Sequence, residues 1–197
     1  MTDLSIEQTE KLEHYLRLLK KWQKAINLVS KNTIETAWQR HFIDSTQLSP
    51  YIPEGSNVTD LGSGAGFPGL VLAVMRPDLS VTLIESDTRK CAFLSNVSRE
   101  TCTNINIISE RIEEVSERPA TDIITARALD TIKNLLDYSW PFIERNKDLK
   151  LFLLKGQKTD QELDESRVAY KYKYQKHQSS SDSEGVIVEL SDVSRET

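Results

Sequence analysis

Apolar residues at Leu12, Tyr15, Leu16, Leu19, Trp22 and Ile26 recur every third or fourth position behind a Ser5–Gln8 capping box, which predicts a long amphipathic helix at the start of the chain. Asn32 and Glu35 repeat the capping pattern ahead of Trp38, His41, Phe42 and Ser45, so a second helix is expected to reach about Leu48 before Pro50 and Pro53 break it. From Asn57 onward the period changes. Short apolar runs over 58–61, 81–85, 105–108, 122–125 and 149–154 read as strands, and helical patterns over 70–75, 89–101 and 131–143 lie between them. Alternation of this kind implies right-handed crossovers and a mostly parallel sheet. After Gly156 a short polar helix is expected, then runs over 168–174 and 186–190 joined by the Ser/Asp-rich stretch 179–185, which together predict an antiparallel hairpin at the sheet edge. The expected division is a helical extension over 1–50 and a Rossmann-like domain over 51–197.

The junction after the first strand carries the most chemistry. Val58-Thr-Asp-Leu-Gly-Ser-Gly-Ala-Gly66 is a strand running into a glycine-rich turn, and Glu85 ends the next strand about 20 residues later, where a nucleoside ribose would lie. Glycines at 62, 64 and 66 let the backbone adopt positive φ and approach a ligand closely. Gly64-Ala-Gly-Phe-Pro-Gly69 also matches the dinucleotide fingerprint. Asp60, expected at the mouth of the site, suits a ligand bearing ammonium and sulfonium charges better than a pyrophosphate, and so favours S-adenosyl-L-methionine. A tight strand-to-helix turn in another α/β protein is the bland alternative, which the flanking strand and Glu85 disfavour.

With 197 residues the chain has room for one α/β domain and a short extension. No apolar stretch approaches the roughly 18 residues of a membrane span, and the first residues lack the marks of a signal peptide, so a cytoplasmic protein without a membrane partner is expected. Cys91 and Cys102 have no metal-ligand spacing, so buried helix thiols and no metal are expected. A net charge of −5 argues against holding nucleic acid by bulk electrostatics and leaves only local patches. One candidate is Lys20, Lys21, Lys24, Lys31 and Arg40, read equally well as a solvated face or a phosphate contact. The other is Arg167, Lys171, Lys173 and Lys176 interleaved with tyrosines, where a solvated, half-buried strand is favoured.

Several blocks in order, Asn27-Leu-Val-Ser30, Arg40-His-Phe-Ile-Asp-Ser45, Asp60 through Gly69, Arg111-Ile-Glu-Glu114, Thr125-Ala-Arg-Ala128 and Leu154-Lys-Gly156, together resemble the RsmG family, also called glucose-inhibited division protein B. The resemblance runs over nearly the whole chain, and Phe67-Pro-Gly69 with Arg-His-x-x-Asp-Ser is its most specific part. It implies the class I S-adenosylmethionine-dependent methyltransferase fold and methylation of N7 of one guanine in small-subunit (16S) ribosomal RNA. It also implies site roles: Gly62, Ser63, Gly64 and Phe67 lining the cofactor site, Glu85 taking the ribose hydroxyls, Ile112 and Glu113 flanking the adenine, and Arg127 facing the site from the end of the fourth strand. Without the family, Ile112 reads as core and Glu113 as a solvated carboxylate. Where the family often has Ser-Arg-Ala-Phe, this chain has Ala126-Arg-Ala-Leu129, which leaves Arg127 but not the hydroxyl or the ring.

N7 of guanine has a lone pair and no proton, so methyl transfer there needs alignment and no general base. The Asn/Asp-Pro-Pro-Tyr block of exocyclic-amine enzymes and the Cys beside Pro of cytosine-C5 enzymes are both missing from the sequence. No catalytic residue is assigned. Arg127 could bond the cofactor carboxylate, a phosphate or guanine O6, or sit in a structural ion pair. RNA, as free ribosomal RNA or an assembling small subunit, is expected to meet the basic extension and the rim around Lys155, with the protein working as a monomer. Two rivals stand: a nicotinamide-dependent oxidoreductase, disfavoured by Asp60 and the closing hairpin, and a non-catalytic RNA-binding or ribosome-assembly factor on the same fold.

Overall fold

A computed structural model describes residues 4–196. The chain starts with α1 (Ile6–Trp22), closed at its N-terminus by the expected capping box, in which Ser5 and Gln8 exchange backbone and side-chain hydrogen bonds. The second helix departs from expectation. Residues 31–36 are turns, and a π-helical segment, Trp38–Ile43, runs into the short α2 (Asp44–Thr46). Local hydrogen bonds explain the late start: the Thr33 hydroxyl donates to the Ser30 carbonyl at 3.0 Å and meets His41 Nε2 at 3.0 Å, which closes a turn where a helix would have begun.

The sheet then builds as β1 (Asn57–Leu61), α3 (Gly69–Met75), β2 (Ser80–Ile84), α4 (Thr88–Thr101), β3 (Asn106–Ile108), β4 (Ile123–Arg127), α5 (Ile132–Ile143), β5 (Lys150–Lys155), α6 (Thr159–Ser166), β6 (Tyr170–Gln178) and β7 (Val186–Arg195). Strand order is β3-β2-β1-β4-β5-β7-β6. The first five strands pair in parallel, and β7 enters antiparallel between β5 and β6. The closing hairpin is longer than its apolar pattern, and Val168 lies outside it, 83% exposed.

Leu70, Val74, Phe93 and Leu94 cover one face of the sheet, and the extension joins the same apolar cluster through Leu12, Tyr15, Leu19, Phe42 and Leu48. On the other face Leu135, Leu136, Phe142 and Leu163 cover Ile124, Leu151 and Leu153. The order reverses between β1 and β4, and Leu61 is level with both Ile84 and Ala126. Chain leaving β2, β1, β4 and β5 therefore emerges along one edge, at the reversal point where open α/β sheets bind ligands.

Candidate active site

The turn after β1 is organised by its own main chain. Gly66 N–H and Phe67 N–H both donate to the Ser63 carbonyl, at 2.7 and 3.1 Å, and Ser63 N–H donates to Ile84 O at 3.1 Å. Gly62 and Gly66 take φ of 61° and 92°. A Cβ on Gly66 would meet Leu70 Cβ at 2.9 Å and the Tyr15 hydroxyl, so neither conformation nor space admits a side chain there, whereas at Gly62 the nearest atom is the movable Leu129 Cδ1 at 2.5 Å and the positive φ is the constraint. From beneath, the Tyr15 hydroxyl donates to the Ala65 carbonyl, and its ring stacks on Phe67 with centroids 5.6 Å apart.

Glu85 is buried beside this turn: Oε2 accepts from Gly64 N–H and Oε1 from Asp87 N–H, each at 2.8 Å. One face of the carboxylate thus fixes the glycine turn. Asp60 does not stand at the mouth of the site as expected. It lies fully buried under the turn, accepting from the Thr125 hydroxyl at 2.8 Å and from Gly69 N–H at 3.3 Å, and burial raises its carboxyl to about 6.

A cavity of about 510 Å³ opens over the turn. Gly62, Ser63, Gly64 and Phe67 form its floor, Glu85, Ile112 and Glu113 one side, and Arg127 the far wall, so the eight residues named from sequence line one space. Ile112 is buried and Glu113 exposed on a 3-10 turn. Sequence reasoning gave no role to Leu129, which covers Gly62 and is 37% exposed, nor to Leu28, Thr33 and His41, which bring the extension into the wall. The Arg40–Ser45 block was the available signal for His41.

His41 is 7% exposed and stacks on Phe67, centroids 5.1 Å apart. Its Nδ1 contacts Arg127 Nη2; because a guanidinium only donates, Nδ1 accepts and the ring proton sits on Nε2, facing Thr33 Oγ1. Burial first, then the charges of Arg127 and Arg40, lowers His41 to about 4, so the ring is neutral near pH 7. Arg127 ends β4, with its guanidinium carbon 5.8 Å from the Phe67 ring centre and Nη1 3.2 Å from Asp44 Oδ2. Burial lowers its pKa and the Asp44 charge opposes that.

Arg127 also walls a second cavity of about 500 Å³ on its other side, with Asp44, Arg40, Lys155 and the β6–β7 turn. That turn is strapped to the extension. Gln47 bonds Ser179 Oγ, Ser181 Oγ and Ser180 N–H, and Arg40 Nη1 lies 3.4 Å from Asp182 Oδ2. Lys155, expected at an RNA-facing rim, is 10% exposed and committed to Glu162 Oε2 at 2.6 Å and the Asp130 carbonyl at 2.7 Å.

The two basic stretches differ. Lys171, Lys173 and Lys176 pair with Glu196, Asp192 and Asp160 at 2.7 to 2.8 Å. Lys20, Lys21, Lys24 and Lys31 are exposed and have no carboxylate partner among the described residues. Cys91 is buried, but Cys102 is exposed at the left-handed end of α4, contrary to expectation. Among the described residues no three His, Cys, Asp or Glu side chains are grouped as metal ligands, and no helix is long and apolar enough to cross a membrane.

Residues 8–189 match the family model described as rRNA small subunit methyltransferase G. Ribosomal RNA small subunit methyltransferase G of Gluconobacter oxydans is 45% identical over 99% of this chain and 99% of its own length. Its counterpart in Paramagnetospirillum magneticum is 44% identical over 98% and 92%. Among solved structures, M. jannaschii TYW2 in complex with AdoMet superposes with a TM-score of 0.60 at 16% identity, covering 88% of this chain and 80% of that one. A TehB-like SAM-dependent methyltransferase from Corynebacterium glutamicum gives 0.57 at 14% identity, over 91% and 98%. At those identities the likeness is one of fold, and the fold is that of the class I methyltransferases.

Proposed function

Because the chain belongs to the rRNA small subunit methyltransferase G family, we propose that it transfers a methyl group from S-adenosyl-L-methionine to N7 of one guanine in small-subunit ribosomal RNA. The observation that carries the reading is the cavity at the sheet's reversal point, floored by a glycine-rich turn and edged by Glu85.

The residues there fit the cofactor. Gly62 and Gly64, both at positive φ, offer bare main chain to the cavity, and Glu85 keeps lone pairs beyond its two amide contacts for vicinal hydroxyls. Ile112 and Phe67 supply apolar surface for a purine, Glu113 stands at its edge, and the cavity volume lies within the range of small-molecule sites, roughly 300 to 1,000 Å³. When bound, the cofactor supplies an electrophilic methyl on a sulfonium.

The chain's own residues then have little proton chemistry to do. His41 is neutral near pH 7, with Nδ1 on Arg127 and Nε2 facing Thr33, so it is not a free base. Asp60 lies beneath the turn with Thr125 and Gly69. An acceptor that already presents a lone pair suits such a site, because holding the two reactants in line supplies most of the acceleration. Arg127, common to both cavities, is the side chain that can touch cofactor and acceptor together. On the same reading the protein works as a monomer in the cytoplasm, where its ribosomal substrate is made, and residues 1–50 form the RNA-facing layer.

Turnover tests this against a non-catalytic assembly factor. With labelled S-adenosylmethionine and either naked small-subunit RNA or the assembled subunit, the reading requires many methyl groups transferred per protein; binding of both partners without transfer would leave the assembly-factor reading in its place.

A further inference from the structure

The wall between the two cavities holds an uncommitted donor beside an uncommitted acceptor. Arg127 Nη1 is 3.2 Å from Asp44 Oδ2, yet this buried nitrogen makes no hydrogen bond among the described residues. The pair is one of charge without an aligned N–H···O bond. One edge of each group is held: Nη2 meets His41 Nδ1, and Asp44 Oδ1 accepts from Gln47 Nε2 at 2.8 Å and from Ser181 Oγ at 2.6 Å. Two planar groups, each 17% exposed, are thus held on one edge, the guanidinium keeping Nη1 and Nε and the carboxylate keeping Oδ2 without a hydrogen bond among the described residues.

Resting on the function proposed above, we infer that this pair reads the acceptor base, with the Arg127 guanidinium, which lines both cavities, donating to guanine O6 and Asp44 Oδ2 accepting from N1–H. Guanine carries an acceptor at position 6 beside a donor at position 1, and adenine carries the reverse, so an Arg–Asp pair accepts one and opposes the other. Spatial order agrees. Along the guanine edge N1–H, O6 and N7 follow one another. Along the protein, Asp44 borders only the second cavity, Arg127 borders both, and the cofactor cavity lies beyond. A base held by N1–H and O6 leaves N7 free on the Arg127 side, toward the methyl donor. Rejection of the wrong base follows from leaving a buried guanidinium and a carboxylate unpaired, which costs more than a missing contact.

The experiment replaces the acceptor guanine in small-subunit RNA, through a ligated synthetic segment, with inosine or 2,6-diaminopurine, and follows methyl transfer from labelled S-adenosylmethionine. Inosine keeps O6, N1–H and N7, so kcat/KM should stay within about tenfold of guanine. Diaminopurine keeps N7 but reverses the donor–acceptor order, and kcat/KM should fall by about 100-fold or more, the loss expected when a two-point base contact fails. Asp44→Asn should narrow the guanine-to-diaminopurine gap to less than about tenfold while S-adenosylmethionine affinity changes by less than about threefold. Methylation of diaminopurine as fast as guanine overturns the inference on the unaltered protein alone, whether or not Asp44→Asn folds; so does a gap that Asp44→Asn leaves intact. Absence of transfer to unmodified RNA is a different result, and overturns the reading of function.

Discussion

Burial and the neighbouring Arg127 and Arg40 charges hold His41 at about 4, down from 6.5, while burial lifts Asp60 from 3.8 to about 6. The signs are opposite. The His41 contribution to stability is complete above pH 6.5 and is lost as pH falls through 4; that of Asp60 is complete below pH 3.8 and is lost as pH rises through 6. Urea unfolding between pH 4 and 7 should therefore show Asp60→Asn gaining on the wild type as pH rises, by up to about 3 kcal/mol over the window, and His41→Gln gaining as pH falls. Differences that stay flat across that range would contradict both assignments. Glu85 belongs to the same scale. Glu85→Gln turns one acceptor into a donor facing a backbone N–H, so S-adenosylmethionine should bind roughly 10- to 100-fold more weakly by calorimetry, from loss of charge-assisted bonds.

Among the elements, the glycine turn and the five parallel strands are legible in the sequence because their signals are local: an apolar run, then glycines that take positive φ. The segment 31–46 is not. Its apolar spacing fits an α-helix, but the Thr33 hydroxyl is spent on Ser30 and His41, and the π-helical turn instead sets His41 and Phe42 side by side against Phe67. Asp60 misled for a related reason: its position in the motif is readable, but whether it faces the ligand or the underside of the turn depends on Thr125, its partner on the adjacent strand β4 but distant in sequence. The strap from Gln47 to Ser179, Ser180 and Ser181 joins residues more than a hundred positions apart, and pairing at such range leaves no mark on local periodicity. Gln47→Ala should free that strap: amide exchange over 179–185 should quicken and methyl transfer to RNA should drop about tenfold, from loosening of the second cavity's wall. Cofactor affinity should hold. Unchanged exchange would show the strap to be held by something other than Gln47.

At the scale of the molecule, a net charge of −5 leaves RNA attraction to a local patch. The lysines of β6 are neutralised by partners, whereas Lys20, Lys21, Lys24 and Lys31 have no carboxylate partner among the described residues and share the stretch 20–31 with Leu28, Val29 and Ser30, which edge the cofactor cavity. Replacing those four with alanine should lower the slope of log affinity for RNA against log salt by about 3, while replacing Lys171, Lys173 and Lys176 should leave it nearly unchanged. The reverse pattern would move the RNA to the hairpin. All of these effects presuppose one reaction at one atom, and the most direct measurement is to map the transferred methyl by mass spectrometry of digested small-subunit RNA. The account predicts label at N7 of a single guanine. Label on an exocyclic amine, a base carbon or a ribose hydroxyl would contradict it, because each of those acceptors must lose a proton, whereas the N7 lone pair accepts the methyl without one.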